Sequence, residues 1–369
     1  MVRAGASAIE SNSRVDLKGL LPEELREFVV QMGQETYRSD QLLSWMYGKG
    51  VANLDEMTDL SRKFREELKQ IAWITRLRQV ERQESRRDQA IKFLFELPGG
   101  KRIESVLIAD GKRRTACLSS QVGCALDCKF CATGRMGFVR NLSAAQIIDQ
   151  LLQMGQVLWE RGERVTNVVM MGMGEPLLNY DQVVQAVRLM RLEMGPGIGG
   201  RRITISTAGF IPGIRKLARE DVNVGLAISL NATTDDRREQ IMPINRKYKI
   251  ADLIAAAGEF YELRGRRVTF EYVLMDGVTD TDEDALRLAL LTRDVPCKIN
   301  LIPYNEIGPD TPYRRPPRER LDSFVELLEA NTSVAVTVRE SRGRDIDAAC
   351  GQLYHAQEKK QTAPPPLPV

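Results

Sequence analysis

From position 115 onward the chain alternates short β-rich segments with stretches of helical periodicity, an alternation that points to parallel βα units. The strand-like segments are residues 115–119, 167–171, 203–206, 224–230, 268–274 and 298–302. Helical patterns lie between them at 143–161, with Ser143 as N-cap, and at 181–193, 250–263 and 282–292. Six units predict a partial barrel, and a later strand at 334–338 follows a helix at 319–330. Apolar residues at helical spacing in 21–33, 37–47 and 60–71 predict a small helical domain over residues 1–75. Alternating segments at 76–81, 90–96 and 102–109 predict a β-linker over 76–109, its last two strands joined by Pro98-Gly99-Gly100. The expected fold is therefore α/β: a partial (β/α)6 TIM-like barrel over 110–345 behind an N-terminal helical domain. The final stretch, 346–369, ends in KKQTAPPPLPV, which is expected to be disordered.

The loop after the first barrel strand carries Cys124, Cys128 and Cys131 in GCALDCKFCATG. A cubane iron-sulfur cluster that only carries electrons has a thiolate on each of four irons, so this CxxxCxxC spacing leaves one iron open to another ligand. Gly123, Gly134 and Gly137 let the backbone wrap a bulky inorganic core, and Phe130 can shield one side of it. A structural zinc site needs four ligands. Here the fourth would have to be Cys117, Cys297 or Cys350, since the one histidine, His355, stands near the C-terminus. A disulfide framework fits poorly with six cysteines in 369 residues and no secretory segment.

The active site of a βα barrel is assembled at the C-terminal ends of its strands. Gly172-Met173-Gly174-Glu175-Pro176 follows the second predicted strand, while Ser206, Ser229 with Asn231, and Asn305 stand at the ends of the third, fourth and sixth. Read alone, the glycine motif is equally a tight turn, and Cys117 and Cys350 are equally small buried hydrophobes.

Lys plus Arg number 53 against 50 Asp plus Glu, so the chain has no global cationic field and any nucleic-acid contact must come from local patches. The candidates are Lys112 to Arg114, Arg135, Arg140, Arg201, Arg202 and YRRPPRER at 313–320. No apolar run is long enough to span a bilayer and the N-terminus lacks a signal-peptide core, so a cytoplasmic protein is expected.

CxxxCxxC with an aromatic before its last cysteine resembles the radical S-adenosylmethionine (SAM) superfamily. Longer strings are more specific: CLSSQVGCALDCKFCATG, MGMGEPLLN, SLNA, MPINRKY, CKINLIPYN and DIDAACGQLY resemble the bacterial family of dual-specificity ribosomal and transfer RNA adenine-C2 methyltransferases over residues 104–354. The resemblance implies a radical SAM barrel and a 4Fe-4S cluster on Cys124, Cys128 and Cys131. It places the SAM pocket at Gly174, Glu175, Ser206, Ser229, Leu230, Asn231 and Asn305, where many relatives have histidine in place of Asn231.

It further implies catalysis by Cys350, Cys117 and Glu104 with two SAM molecules per turnover. One methylates Cys350; a second, on the open iron, is cleaved to a 5′-deoxyadenosyl radical that takes hydrogen from the methylated Cys350. The resulting methylene radical adds to carbon 2 of adenine. Cys117 resolves the adduct through a transient disulfide with Cys350, and Glu104 matches a proton acceptor. The implied partners are 23S rRNA and tRNA, with an electron donor such as flavodoxin and its reductase, acting on a monomer.

A related resistance-type enzyme methylates carbon 8 and shares these cysteines, but Pro176 and Arg342-Gly343 resemble the carbon-2 enzymes more closely. A zinc-stabilised RNA-binding protein and an iron-sulfur electron carrier are the readings from other classes.

Overall fold

The computed structural model describes residues 14–354; His355 and the proline-rich tail lie outside them. Strand β1 (Val15–Asp16) pairs in parallel with β2 (Ala72–Trp73), closing a segment that carries α1 (Pro22–Gln31), α2 (Tyr37–Leu43) and α3 (Arg62–Ile71). Pro22 opens α1, where a missing N–H costs nothing, and Glu24 accepts from the Leu21 N–H at 2.7 Å. Helix α2 is shorter than its apolar spacing predicts, because residues 44–48 wind into a π-turn that keeps Met46 and Tyr47 buried. This helical unit is keyed to the barrel by the buried pair Lys18 Nζ and Asp149 Oδ1, 2.6 Å apart. The other Asp149 oxygen accepts from the Leu77 N–H and from Gln153 Nε2, both at 2.8 Å, so the charge is paired and hydrogen-bonded.

Strands β3 (Arg78–Glu84), β4 (Ile91–Glu96), β5 (Arg102–Asp110) and β6 (Arg113–Cys117) run antiparallel in sequence. After β6 the chain makes the hairpin β7 (Gln121–Gly123) and β8 (Phe138–Asn141), with α4 (Ala132–Arg135) between its strands. It then winds through α5 (Ala144–Trp159), β9 (Asn167–Met170), α6 (Tyr180–Met190), β10 (Ile203–Thr207), α7 (Ile211–Arg219) and β11 (Gly225–Ser229). Helices α8 (Asp235–Ile241) and α9 (Ile250–Arg264) lead to β12 (Val268–Leu274), α10 (Asp282–Thr292), β13 (Cys297–Pro303), α11 (Arg318–Asn331) and β14 (Ala335–Val338).

The main sheet has ten strands in the order β14-β13-β12-β11-β10-β9-β6-β5-β4-β3. From β6 through β14 the pairing is parallel, so the six expected barrel strands gain a seventh at the edge and the linker strands extend the sheet at the other. Among the described residues β14 and β3 do not pair, and the barrel stays open. Its first strand starts and ends two residues earlier than expected. Gly111, at φ +51, closes a two-residue turn that pairs Asp110 with Arg113, and the pairing with β9 ends at Cys117.

Parity along the strands separates core from site. Ile203, Ile205, Leu226, Ile228, Phe270, Tyr272, Ile299 and Leu301 are buried in the apolar core. Alternate residues such as Thr204, Thr269 and Asn300 line the barrel interior. Ser143 caps α5 as expected, in a reciprocal box with Gln146 at 3.2 Å in each direction.

Candidate active site

The cysteine loop is held open by the β7–β8 hairpin, which the sequence pattern does not reveal. Cys124 N–H donates to Gly137 O at 3.0 Å and Cys131 N–H to Cys128 O at 3.1 Å, folding the loop back on itself. Gly134 is needed here, because a Cβ would lie 2.9 Å from Cys128 O. All three thiols are free and line one cavity. Burial pushes Cys124 up to about 12 and raises Cys128 and Cys131 as well, and a bound metal would stabilise all three as thiolates. Among the described residues no three Cys, His, Asp or Glu side chains converge on a single ion, as a structural zinc would require. A cubane instead takes each thiolate on a different iron, which suits thiols spread around a shared cavity.

The same cavity is lined by Gly174, Glu175, Ser206, Ser229, Asn231 and Asn305, so six of the seven expected SAM-pocket residues meet there. Glu175 is only 3% exposed; its carboxylate accepts from the Leu177 N–H at 3.0 Å and the Ala208 N–H at 2.8 Å. Burial outweighs these bonds and raises its pKa to about 7. An ammonium group at this carboxylate would supply the missing countercharge. Asn305 donates to Ser341 Oγ at 2.8 Å and Cys350 O at 3.2 Å, while its buried Oδ1 has no partner. An orphaned acceptor in the cavity wall fits a ligand that brings a donor. Asn231 is fixed by the Val273 N–H, which donates to its Oδ1 at 3.0 Å, and by its own contact to Met242 Sδ at 3.4 Å. Leu230 stands apart from this wall: it is fully buried, its N–H donates to Glu271 O and its carbonyl accepts from Arg238 Nε, both at 2.9 Å.

Cys350 is part of this cavity and also of a smaller one, where it meets Cys117, Arg339 and Ser341. Burial foremost, then the nearby Cys350, pushes Cys117 up to about 12; burial likewise raises Cys350, which Arg339 partly offsets. Glu104 lies outside both cavities on β5. Its carboxylate is 3.4 Å from Lys92 Nζ and accepts from the Tyr354 N–H at 2.9 Å. Burial raises its pKa despite the lysine. Cys297, at the start of β13, faces the carbonyl of Thr292 at 3.8 Å and is a packing residue.

Three charged residues of the site carry no sequence signal. Arg238, in α8, is fully buried and donates to the carbonyls of Leu230, Ala208 and Ser229 and to Asn245 Oδ1 at 2.7 to 3.0 Å. It stitches together the strand ends beneath Cys128. Glu271, inside the apolar run of β12, lines the larger cavity with Cys350, and Arg339, just after β14, lines the smaller one that Cys350 shares with Cys117. The basic candidates divide: Arg114 pairs with Glu163 at 2.6 Å, Arg315 with Glu340 and Arg320 with Asp282, whereas Arg113 and Arg202 line the barrel interior.

Two family models match: the radical SAM superfamily over residues 118–289 and the ribosomal RNA large subunit methyltransferase N-terminal domain over 15–74. The dual-specificity RNA methyltransferase RlmN of Anaeromyxobacter sp. (strain Fw109-5) is 46% identical over 362 residues, covering 96% of this chain and 95% of that protein. The probable dual-specificity RNA methyltransferase RlmN of Symbiobacterium thermophilum is 44% identical over 347 residues, covering 94% and 93%. The crystal structure of a radical SAM methyltransferase from Sphaerobacter thermophilus superposes with a TM-score of 0.88 at 44% identity, covering 92% of this chain and 99% of that one. With identity of this extent across the helical unit, the cysteine loop and the barrel, the chain belongs to the RlmN family of radical SAM dual-specificity RNA methyltransferases.

Proposed function

We propose that this protein methylates carbon 2 of an adenine in 23S rRNA and in tRNA, with Cys350 as the methyl carrier. The observation that supports this reading is the position of Cys350, which faces the cavity of the cluster cysteines on one side and Cys117 on the other. Membership of the superfamily brings a 4Fe-4S cluster and SAM. Together these supply an electrophilic methyl group and, after one-electron reduction, a radical able to activate a methyl carbon; that route is needed because adenine carbon 2 is not nucleophilic.

The chain's own groups do the rest. Cys124, Cys128 and Cys131 would hold three irons, and Glu175 would bind the ammonium of SAM with Asn305 Oδ1 accepting a further donor. Ser206, Ser229 and Asn231 would orient the remainder. Cys350 holds the methyl group and then the base, and Cys117 releases the product by forming a disulfide with it. Glu104, as a buried carboxyl of raised pKa, is suited to accept a proton. Two SAM molecules per turnover follow from using one for the methyl group and one for the radical.

A flavodoxin-type donor, a monomeric state and a cytoplasmic location complete the reading; no helix among the described residues is long and apolar enough to cross a membrane. We assign RNA docking to the helical domain, where Arg62 and Lys63 at the start of α3 are exposed. The test is anaerobic reconstitution with iron and sulfide, then reaction with reductant, SAM and RNA, with nucleosides read by mass spectrometry. 2-Methyladenosine with 5′-deoxyadenosine is the expected result. 8-Methyladenosine would transfer the assignment to the carbon-8 chemistry, and neither product from a loaded cluster would end the methyltransferase reading.

A further inference from the structure

The lower half of the barrel is not packed. In closed (β/α)8 barrels inward side chains fill the axis in layers, but here Thr115, Asn167, Thr204, Thr269, Asn300 and Thr337 surround an open cavity. Walls so polar hold water. This lumen reaches Glu271 and Arg339. Glu271 is also in the wall of the cofactor cavity with Cys350, and Arg339 in the wall of the cavity that Cys350 shares with Cys117. The pair thus stands where solvent from below meets the two thiols.

Glu271 is 7% exposed, 3.9 Å from Arg339 Nη1, and accepts from Asn300 Nδ2 at 3.4 Å. Asn300 in turn accepts from the exposed Thr337 hydroxyl at 3.1 Å, so polar contacts run from the carboxylate into the lumen. Glu175, the other carboxylate of the cofactor cavity, is committed to two backbone N–H groups.

We propose that Glu271 takes the proton that Cys350 must give up, and that lumen water carries it away, with Arg339 as the positioning residue. The proposal rests on the reading of Cys350 as methyl carrier. The Cys350 proton passes to Glu271, the sulfur electron pair forms the S–CH3 bond, and the methyl–sulfonium bond breaks with its pair left on the departing thioether.

Cys350 is half-buried, and the desolvation it suffers disfavours its ionised form and favours a local base. The charged and titratable groups that act on Glu271 are Arg339 and Lys298, and it acts in turn on both thiols. Arg339 interacts with Glu271 and with both sulfurs, so its charge is compensated whichever of the three carries the anion. Proton transfer among them then changes the local charge balance little.

The test uses the full chain, with cluster removed and with cluster reconstituted, and compares the wild type with Glu271→Gln, Glu271→Asp and Arg339→Gln. Iodoacetamide labelling of the Cys350 peptide is followed by mass spectrometry against pH, with circular dichroism to confirm folding. With an internal base part of the thiolate arises by transfer from thiol to carboxylate, so wild-type labelling should rise less steeply with pH than that of Glu271→Gln, which should rise about tenfold per pH unit. Glu271→Asp should keep part of the shallow slope, and Arg339→Gln should lower labelling without restoring the full slope. Methylation of Cys350 in the loaded protein should follow the same profiles. A Glu271→Gln profile of wild-type shape overturns the proposal, and an Arg339→Gln profile identical to wild type removes the arginine from it. Methylated adenine from Cys350→Ala would overturn the carrier reading instead, and is scored separately.

Discussion

Cys350 shares a cavity with Cys117 while its own segment rests on the cysteine loop. The Ala132 N–H donates to Gly351 O at 2.7 Å and Thr133 Oγ1 to Leu353 O at 2.7 Å, while Asn305 holds the Cys350 carbonyl. A few hydrogen bonds, rather than a strand or helix, keep this thiol between two partners.

That placement predicts different failures for the two thiols. Cys117→Ala should still attach RNA to Cys350 but fail to release it, giving a protein–RNA band that survives denaturation. Cys350→Ala should give neither band nor product. Free methylated RNA from Cys117→Ala at the wild-type rate would end its resolving role.

Glu175 should tie stability to pH. Its pKa is raised from 4.5 to about 7 by burial, so the folded state favours the neutral acid. The penalty is absent below about pH 4.5, grows as pH rises towards 7 and is constant above that. The cofactor-free protein should therefore lose on the order of 3 kcal/mol across that window. Glu175→Gln should lack this component, so the difference between the two unfolding curves must change between acidic and mildly alkaline buffer. Affinity for SAM should fall as pH drops below about 7, where the carboxylate is neutralised.

Gly174→Ala should damage the same site through the backbone. Gly174 has φ +97, and a Cβ would lie 2.5 Å from the Cβ of Gln121, whose Oε1 accepts from the Glu175 N–H at 2.8 Å. A cost of about 1–3 kcal/mol is expected in thermal unfolding, with SAM affinity reduced about tenfold or more. Unchanged affinity in a folded variant would show that Glu175 can settle independently of Gln121.

Lys92→Met should loosen the C-terminal segment. It leaves Glu104 buried without its cation, at a cost of about 3–5 kcal/mol at neutral pH. The deficit should shrink as pH falls, since the carboxyl protonates and no longer needs a counterion. Limited proteolysis around Tyr354, whose N–H binds Glu104, is the local readout. Equal cleavage of variant and wild type would mean that this pair does not anchor the segment.

Strands β9 to β13 were legible because they are short, rich in β-branched residues and bounded by turn residues, and Ser143 announced its helix as an N-cap. Helices α7 and α8 and the β7–β8 hairpin escaped notice because each is short, and a few residues carry too little periodicity to separate them from loops. The three loop cysteines, Glu175 and Cys350 stood in the strings that carry the family resemblance. Arg238, Glu271 and Arg339 were not, since a single charge in a strand or turn looks solvated until its surroundings are known.

The sequence by itself determined the parallel βα architecture and the three-thiol loop, because spacing and periodicity are local properties of the chain, and the chemical class came from the family resemblance of its longer strings. Only the tertiary structure decided which groups meet. It brought Cys350 to Cys117, set Leu230 behind the wall of the larger cavity and placed Glu271 between that cavity and the polar barrel lumen. The physical reason is that such contacts join residues far apart in sequence, and no local pattern records which side chains a fold will bury together.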